Sequence, residues 1–416
     1  MNKKINAKLI EEAYNNIKDV VARTPLQFNE RLSKEFQAKI YLKREDLQTI
    51  RSYKIRGAYN RISLLTSAEK EHGVVCASAG NHAQGVAFSC DKLKIKGHIF
   101  MPNNTSIQKI ERVKKFGGKW TTIVMSGDNF DIACLEAKKF SKKNNKVFIH
   151  PFDDALVIAG QGTVGLEIFE QLAELPDFIF VPIGGGGLIS GVGVYAKEKN
   201  KEVKLIGVES EGSPSMFEAL KKGKIITLEN IDKFVDGTAV KTVGMLGFEI
   251  SKKLVNRVLI VPDGKTCQEM ISLYQNDGII TEPAGALALS ALEQMKDKIK
   301  GKTVVCIVSG GNNDISRYSE IIDRSLIYQG LKHYFIIEFS QKAGSLRKYL
   351  DTVLGYDDDI VLFEYFKKNN KESGPALVGI ELIKKEDFQP LLKRMDKLGF
   401  KYQILDKKSP LFYFIV

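Results

Sequence analysis

Residues 178–190 have the sequence Phe-Ile-Phe-Val-Pro-Ile-Gly-Gly-Gly-Gly-Leu-Ile-Ser, in which a strand-like apolar run meets four glycines and then a helical pattern. Glycines at such a junction let backbone N–H groups face a bound phosphate. The positive end of the following helix dipole would stabilise the same anion. A tight turn is the simpler interpretation, but four successive glycines favour a phosphate site. The loop lacks the Gly-Lys-Ser/Thr ending of a P-loop, which disfavours a nucleotide triphosphate.

The same alternation of short apolar runs and longer amphipathic stretches extends over most of the chain. Strands are predicted at residues 40–43, 74–77, 98–101, 121–125, 147–149, 178–183, 204–208, 258–261 and 303–308. Strands separated by stretches of helical length indicate an α/β fold with a parallel sheet covered on both faces. Turns at Gly80, Gly184 and Gly310 each follow one of these strands. Ligands of such sheets bind beyond the carboxyl ends of the strands, which is where these turns fall.

The pattern changes after Gly330. Strands are predicted at residues 333–340, 360–367, 376–382 and 402–405, and helices at residues 344–354 and 386–398. This β-α-β-β-α-β order is ferredoxin-like, and the apolar tail at residues 411–416 is predicted to add an edge strand. We therefore expect one domain at residues 1–330 and a second at residues 331–416. The second is interpreted either as a structural or oligomerisation domain or as a regulatory, ligand-sensing one.

Composition excludes several classes of protein. The 416-residue chain carries a formal charge of +12, but the excess is spread along the chain, so solvated lysine faces explain it better than nucleic-acid binding. Its five cysteines show no paired spacing, which favours a reducing cytoplasm over a disulfide framework. The N-terminal residues resemble a charged helix, not a signal peptide. No apolar run reaches the roughly 18 residues of a membrane span.

Lys54 lies in the stretch Ser52-Tyr53-Lys54-Ile55-Arg56-Gly57-Ala58, at the start of an apolar helical pattern. A lysine amine can attach covalently to an aldehyde cofactor, and pyridoxal phosphate uses this attachment to act as an electron sink. A lone lysine is more often a surface residue. The Ser-x-Lys-x-Arg-Gly-Ala context of Lys54, together with the glycine loops, favours the cofactor interpretation. Arg56 could serve as an ion-pair partner.

Two further strand ends carry polar groups. Ser78-Ala79-Gly80-Asn81-His82 offers several donors around one glycine, which suits a carboxylate; capping of a helix by Ser78 or Asn81 is the alternative. Ser309 ends the run at residues 303–308. Its hydroxyl could hydrogen-bond a neutral pyridine nitrogen or cap the strand end. No spacing of His, Cys, Asp and Glu resembles a transition-metal site.

With these motifs in place, the chain closely resembles the biosynthetic threonine ammonia-lyases (threonine dehydratases), which are fold-type-II pyridoxal-phosphate enzymes. The resemblance covers nearly the whole chain. It includes residues 23–26 (Arg-Thr-Pro-Leu), 43–46 (Lys-Arg-Glu-Asp), 236–240 (Asp-Gly-Thr-Ala-Val), 282–286 (Glu-Pro-Ala-Gly-Ala), 364–370 and 374–379. It implies two open, mostly parallel sheet subdomains, the smaller one within residues 45–155, and a C-terminal ACT-like regulatory domain.

The resemblance also implies roles for individual residues. Lys54 would bind pyridoxal phosphate and remove the α-proton of the substrate, and Tyr53, where the family more often has Phe, would pack against the ring. Asn81 would contact the 3′-oxygen of the cofactor and Ser309 its pyridine nitrogen. The phosphate would be held by Gly184, Gly185, Gly186, Gly187 and Leu188, and the substrate carboxylate by Ser78, Gly80, Asn81 and His82.

The implied reaction converts L-threonine to 2-oxobutanoate and ammonia, which opens isoleucine synthesis, with some activity on L-serine. Isoleucine and valine are the implied effectors at the C-terminal domain, and a homotetramer is the implied assembly. No metal is expected: Glu209 could match one ligand of the cation site in related racemases, but Ser215 occupies a later acidic position.

Two rival interpretations stay open. A serine dehydratase or serine racemase of the same fold is the nearer one. The racemases use a serine hydroxyl directly after the first serine of the motif, and Ala79 occupies that position here. One methyl group separates threonine from serine, and it is worth only about 1–3 kcal/mol in a pocket. The other rival is a catalytically silent amino-acid sensor that acts through residues 331–416.

Overall fold

The computed structural model describes residues 4–365, 371–406 and 409–415. Contacts divide the chain into two compact units, Met1–Asp314 and Ile315–Val416. The strands of the first unit are β1 (Leu26–Phe28), β2 (Lys39–Arg44), β3 (Val74–Ala77), β4 (Gly97–Met101), β5 (Thr121–Met125), β6 (Val147–Phe148), β7 (Phe178–Pro182), β8 (Lys204–Ser210), β9 (Arg257–Val261) and β10 (Thr303–Val308).

These strands form two sheets. The larger has the order β1-β2-β10-β7-β8-β9, and the smaller the order β5-β4-β3-β6. Every pair is parallel except β1 with β2, which is antiparallel. The smaller sheet is inserted in sequence between β2 and β7. The predicted α/β architecture is confirmed, whereas β1 was missed.

Helices cover the sheets. Those of the first unit are α1 (Ala7–Ile17), α2 (Glu30–Phe36), α3 (Lys54–Ser63), α4 (Ser67–His72), α5 (Asn81–Leu93), α6 (Ile107–Gly117), α7 (Phe130–Lys143), α8 (Ala155–Gln171), α9 (Gly187–Lys199), α10 (Ser215–Lys222), α11 (Met245–Leu254), α12 (Asp263–Asp277), α13 (Pro283–Ser290) and α14 (Lys296–Ile299). Short 3₁₀ turns occur at Glu45–Leu47, Gly118–Trp120 and Glu293–Met295. None of the helices in the described ranges is both long and apolar enough to span a bilayer.

Helix α8 brings α3 and α9 together by backbone contact. A Cβ atom added to Gly160 would lie 2.5 Å from the carbonyl oxygen of Arg56, and one added to Gly191 would lie 2.4 Å from that of Ile158. Real Cβ atoms do not approach this closely, so glycine is required at both positions. The helix that begins at Lys54 and the helix that follows the glycine loop are thereby held against one central helix.

The second unit contains α15 (Tyr318–Gln329), β11 (Lys332–Ser340), α16 (Ser345–Thr352), β12 (Asp359–Tyr365), β13 (Ser373–Glu381), α17 (Phe388–Lys397) and β14 (Lys401–Leu405), with 3₁₀ turns at Ile315–Arg317, Lys385–Asp387 and Pro410–Phe414. Its antiparallel sheet has the order β12-β13-β11-β14. The predicted ferredoxin-like order is confirmed from β11 to β14, although residues 366–367 of one predicted strand lie outside the described residues.

The tail was predicted wrongly. Residues 411–416 were expected to add an edge strand, but Pro410–Phe414 is a 3₁₀ turn. Proline has a fixed φ that suits the first position of a helical turn. The turn places Phe412 in a buried cluster with Tyr334 and Leu405, so the tail covers the sheet by packing on it and not by extending it.

Candidate active site

Lys54 is the first residue of α3, and the segment before it is attached to the end of β10. Ser52 and Gly310 form an antiparallel bridge, and the N–H of Tyr53 donates to the carbonyl oxygen of Ser309 at 3.2 Å. The backbone before the lysine is therefore paired with the loop at the carboxyl end of a central strand. Two residues far apart in sequence, Lys54 and Ser309, are brought to one place.

The amine of Lys54 lies in a low-dielectric environment. Its Nζ donates to the carbonyl oxygen of Pro151 at 3.0 Å and lies 5.2 Å from the ring centre of Tyr53. Burial lowers the pKa of Lys54 to about 8, although the charge of Glu282 opposes that shift. A neutral amine is both a nucleophile and a base. Burial raises the pKa of Tyr53, so its phenol stays protonated.

The glycine loop is closely packed on its inner side. A Cβ atom at Gly185 would lie 2.2 Å from the ring of Phe152, and one at Gly187 would lie 2.5 Å from Oε1 of Gln161. Gly186 has φ +94°, a left-handed conformation that favours glycine. Phe152 follows Pro151, the acceptor of the lysine amine, so the loop and Lys54 border the same space.

The loop presents donors to that space. Helix α9 begins at Gly187, so its first-turn N–H groups have no acceptor within the helix. The helix dipole adds partial positive charge at the same end. Gln161 has a buried Oε1 atom with no hydrogen-bond partner among the described residues. Amine, bare N–H groups and glycine backbone together fit a phosphate-bearing aldehyde such as pyridoxal phosphate.

The turn at residues 78–82 has a second set of helix N–H groups. Ser78 accepts a hydrogen bond from the N–H of Gly80 at 3.2 Å, and α5 begins at Asn81. A Cβ atom at Gly80 would meet no described atom within 4 Å. The turn is therefore bare beside Gly80, and the first N–H groups of α5 are directed outward from the helix end.

His82 is held as a neutral side chain. Its Nε2 lies 3.0 Å from the carbonyl oxygen of Ile149, which can only accept, so Nε2 carries the hydrogen. Burial lowers the pKa of His82 to about 3, and the charge of Lys54 adds to that shift. The other ring nitrogen is then an acceptor. The imidazole therefore has no hydrogen left to donate to a carboxylate, because its one N–H is bonded to Ile149. The backbone N–H of His82 can still donate.

Ser309 is buried and donates its hydroxyl hydrogen to the carbonyl oxygen of Ala284 at 3.1 Å. A hydroxyl has one hydrogen. Donation to a ligand nitrogen would therefore require the hydroxyl to rotate away from Ala284.

Glu282, the first residue of the motif at residues 282–286, is a central residue of the site that the sequence did not assign to it. Its Oε1 accepts from Nδ2 of Asn81 at 2.7 Å. Burial raises the pKa of Glu282 to about 7, and the charge of Asp236 contributes to the same shift. Asn312 is the second residue that bonds the side chain of Asn81, because its Nδ2 donates to Oδ1 of Asn81 at 2.7 Å. No local sequence signal marks either contact.

A buried charge network lies behind the lysine. Arg56 donates to both carboxylate oxygens of Glu45 and to both of Glu167, and Lys43 bonds Glu167 at 2.6 Å. All four side chains are at most 2% exposed. The ion-pair role considered for Arg56 is confirmed. The network joins β2, α3 and α8, and it holds the helix that carries Lys54.

Glu209 has a structural role. Its carboxylate accepts from the backbone N–H groups of Met216 and Phe217, both at 2.8 Å, at the start of α10. Ser215 donates to the carbonyl oxygen of Val240. Within the described part of the chain, no group of three or more His, Cys, Asp or Glu side chains is arranged to hold a metal ion.

Comparison with known proteins agrees with this geometry. The family described as "Pyridoxal-phosphate dependent enzyme" matches residues 17–310, and the "C-terminal regulatory domain of Threonine dehydratase" matches residues 323–415. The biosynthetic L-threonine dehydratase IlvA of Halalkalibacterium halodurans is 52% identical over 99% of this chain and 100% of its own length. The chain belongs to the biosynthetic threonine dehydratase family of pyridoxal-phosphate-dependent enzymes. The Bacillus subtilis member is also 52% identical, over 100% of this chain and 98% of its own.

Solved structures of related enzymes align with most of this chain. The processed form of threonine deaminase isoform 2 from Solanum lycopersicum aligns with a TM-score of 0.72 and 37% identity, over 78% of this chain and 96% of that one. Maize serine racemase aligns with a TM-score of 0.72 and 33% identity, over 78% and 99%. The fold-type-II assignment is confirmed, and pyridoxal phosphate is the cofactor of the family.

Proposed function

We propose that this protein deaminates L-threonine to 2-oxobutanoate and ammonia, by removing the α-proton and the β-hydroxyl group, as the first step of isoleucine synthesis. The observation that carries the proposal is the partly buried amine of Lys54 beside the glycine loop, in a chain that matches named L-threonine dehydratases over its full length. When bound, pyridoxal phosphate supplies the electron sink for the negative charge that develops at the α-carbon.

The residues of the chain divide the work. Lys54 is proposed to hold the cofactor and then to take the α-proton, and its lowered pKa supports that role as a base. The N–H groups of Gly184 to Leu188 would hold the phosphate, Tyr53 would pack against the ring, and Ser309 would face the pyridine nitrogen.

The substrate carboxylate is proposed to lie at the start of α5. The hydroxyl of Ser78 and the backbone N–H groups of Asn81 and His82 would donate to it, with Gly80 allowing its close approach. The imidazole of His82 would support the turn through its bond to Ile149. This division assigns the side chain of Asn81 to the cofactor and its backbone to the substrate.

The decisive experiment measures 2-oxo-acid formation from L-threonine and L-serine by the wild type and by Lys54→Ala, with absorption spectra recorded alongside. We expect threonine turnover and a visible cofactor band in the wild type and neither in the variant. A cofactor band with no 2-oxo acid from either substrate would refute the proposed activity. It would favour a silent amino-acid sensor instead.

Serine is proposed as a slower second substrate. Ala79 lies directly after Ser78 and offers no hydroxyl for proton return to the opposite face of the α-carbon. The structural similarity to a serine racemase therefore supports serine binding and elimination without racemization. Formation of D-serine from L-serine would contradict this.

The second unit is proposed to regulate the first. Its match to a threonine dehydratase regulatory domain supports effector binding there, and isoleucine as inhibitor with valine opposing it are the proposed ligands. A chain ending at Asp314 should retain activity and lose the isoleucine response; unchanged inhibition of that truncated chain would refute the assignment. A homotetramer and a cytoplasmic location are further proposals, and the buried free thiols of Cys76 and Cys306 suit a reducing compartment.

A further inference from the structure

Asn81 belongs to a series of hydrogen-bonded side chains. The donor and acceptor atoms of this series can be assigned from groups that can only donate or only accept. Arg112 can only donate, and its Nη1 bonds Oδ1 of Asn312. The carbonyl oxygen of Ile50 can only accept, and Nδ2 of Asn312 donates to it at 2.7 Å. Both ends therefore orient the amide of Asn312 in the same way.

That orientation sets the amide of Asn81. The second hydrogen on Nδ2 of Asn312 is donated to Oδ1 of Asn81 at 2.7 Å. Nδ2 of Asn81 consequently faces Oε1 of Glu282, at 2.7 Å. An amide nitrogen has two hydrogens, so the bond to Glu282 uses one and leaves the other for a ligand.

Glu282 is itself held in place. Its backbone N–H donates to the carbonyl oxygen of Gly310 at 3.2 Å, and its side chain accepts from the backbone N–H of Asn312. The residue is 5% exposed. A Cβ atom at Gly310 would lie 2.4 Å from its Oε1. The carboxylate therefore has little freedom to leave Asn81.

We propose that Glu282 is a positioning residue that acts through Asn81: it takes one Nδ2 hydrogen, fixes the rotation of the amide and directs the other hydrogen at the bound cofactor. The proposal rests on the proposed function, in which Asn81 faces the 3′-oxygen of pyridoxal phosphate. The same chain connects Arg112 on α6 to Glu282 at the start of α13, so the contact spans the layers of the smaller and larger sheets.

The proposal predicts that Glu282 matters to the cofactor only while Asn81 is present. We would measure the Kd of full-length apoenzyme for pyridoxal phosphate, and the position of its visible band, in the wild type, Glu282→Ala, Asn81→Ala and the double variant. Loss of a hydrogen bond to a charged group predicts a roughly tenfold weaker Kd for each single variant. The double variant should be no weaker than the weaker single one.

Glu269→Ala is the matched control. Glu269 is another buried glutamate whose pKa is raised by burial, but its carboxylate pairs with Arg31 at 3.9 Å on the side of α2. It should leave both the Kd and the band unchanged. If thermal unfolding shows that Glu282→Ala is not folded, the same double-mutant cycle is measured with the isosteric Glu282→Gln. That variant should bind pyridoxal phosphate with a Kd about threefold weaker.

Losses that multiply in the double variant would overturn the proposal, because Glu282 would then act on the cofactor directly or through packing. An unchanged Kd in Glu282→Ala would overturn it as well. The readout is cofactor binding, so it does not depend on which amino acid is turned over. Absent threonine turnover with normal cofactor binding would defeat the proposed activity and leave this inference standing.

Discussion

The buried charge network behind Lys54 predicts that Arg56→Lys destabilises the first unit although the positive charge is kept. Arg56 donates to Glu45 at 2.8 Å twice, to Glu167 at 2.7 and 2.8 Å, and to Thr163 at 3.1 Å. Burial alone would raise the pKa of Glu45, but Arg56 and Lys43 hold it below its usual range. The carboxylate therefore stays ionised and requires its partners.

The magnitude follows from the number of donors. A lysine ammonium has three N–H groups, so at least two of the five hydrogen bonds that Arg56 donates to Glu45, Glu167 and Thr163 would be lost. A buried hydrogen bond to a charged group contributes about 1.5–3 kcal/mol. We therefore expect the free energy of unfolding to fall by about 3 kcal/mol or more, within the range found when buried ion pairs are broken.

Urea unfolding of the full-length protein tests this, because its single tryptophan, Trp120, lies in the first unit and reports only on that unit. Arg23→Lys is the control. Arg23 pairs with Glu170 at 3.1 Å, and the two side chains are 50% and 44% exposed, so a change below about 1 kcal/mol is expected. A loss in Arg56→Lys no larger than in the control would refute the reasoning.

Three further outcomes follow from the site. Because burial lowers the pKa of Lys54 to about 8, the rate at which pyridoxal phosphate attaches to the full-length apoenzyme should rise up to about pH 8 and then level off. For an exposed lysine the rate would continue to rise up to about pH 10.4. A stopped-flow rate that still rises steeply above pH 9 would contradict this. Gly185→Ala should weaken the Kd for pyridoxal phosphate about tenfold or more in equilibrium dialysis, because its Cβ atom would lie 2.2 Å from the ring of Phe152, and unchanged affinity would show that the loop does not bind the phosphate. Burial lowers the pKa of His82 to about 3, so the folded state favours the neutral ring, and the stability that this contributes is present above the unfolded pKa of about 6.5 and is lost as the pH falls. In urea unfolding, the free energy of unfolding of the wild type should therefore fall by about 2 kcal/mol more than that of His82→Gln between pH 7 and pH 5. Equal losses would contradict the assignment of a buried neutral histidine.

Most strands of the first unit were predictable because they are short runs rich in Val and Ile, and most are bounded by Gly, Pro, Asn or Asp. The run at residues 303–308 coincides with β10 (Thr303–Val308), and that at residues 74–77 with β3 (Val74–Ala77). β1 has only three residues and pairs at the sheet edge. A segment that short shows no periodicity, so it was missed.

The tail at residues 411–416 was predicted wrongly although its apolar pattern is clear. Its residues are apolar enough for a strand, and apolarity alone does not separate a strand from a turn that packs on a sheet. The outcome depends on Pro410, which favours the start of a 3₁₀ turn, and on Phe412, which is buried against Tyr334. The contact between Phe412 and Tyr334 exists only after the domain has folded, so the sequence alone does not show it.

The site divides in the same way between local and distant information. A glycine loop, a lysine at a helix start and a serine at a strand end are local patterns, and the chemistry of each residue type is enough to propose its ligand. The bonds of Asn81 to Glu282 and Asn312 join residues 201 and 231 positions apart. They arise because α5, α13 and the end of β10 meet at one edge of the two sheets. Asn81, with its amide turned by both partners, is therefore oriented by the fold rather than by its own segment, and substitutions at Glu282 should alter cofactor binding without touching any local motif of α5.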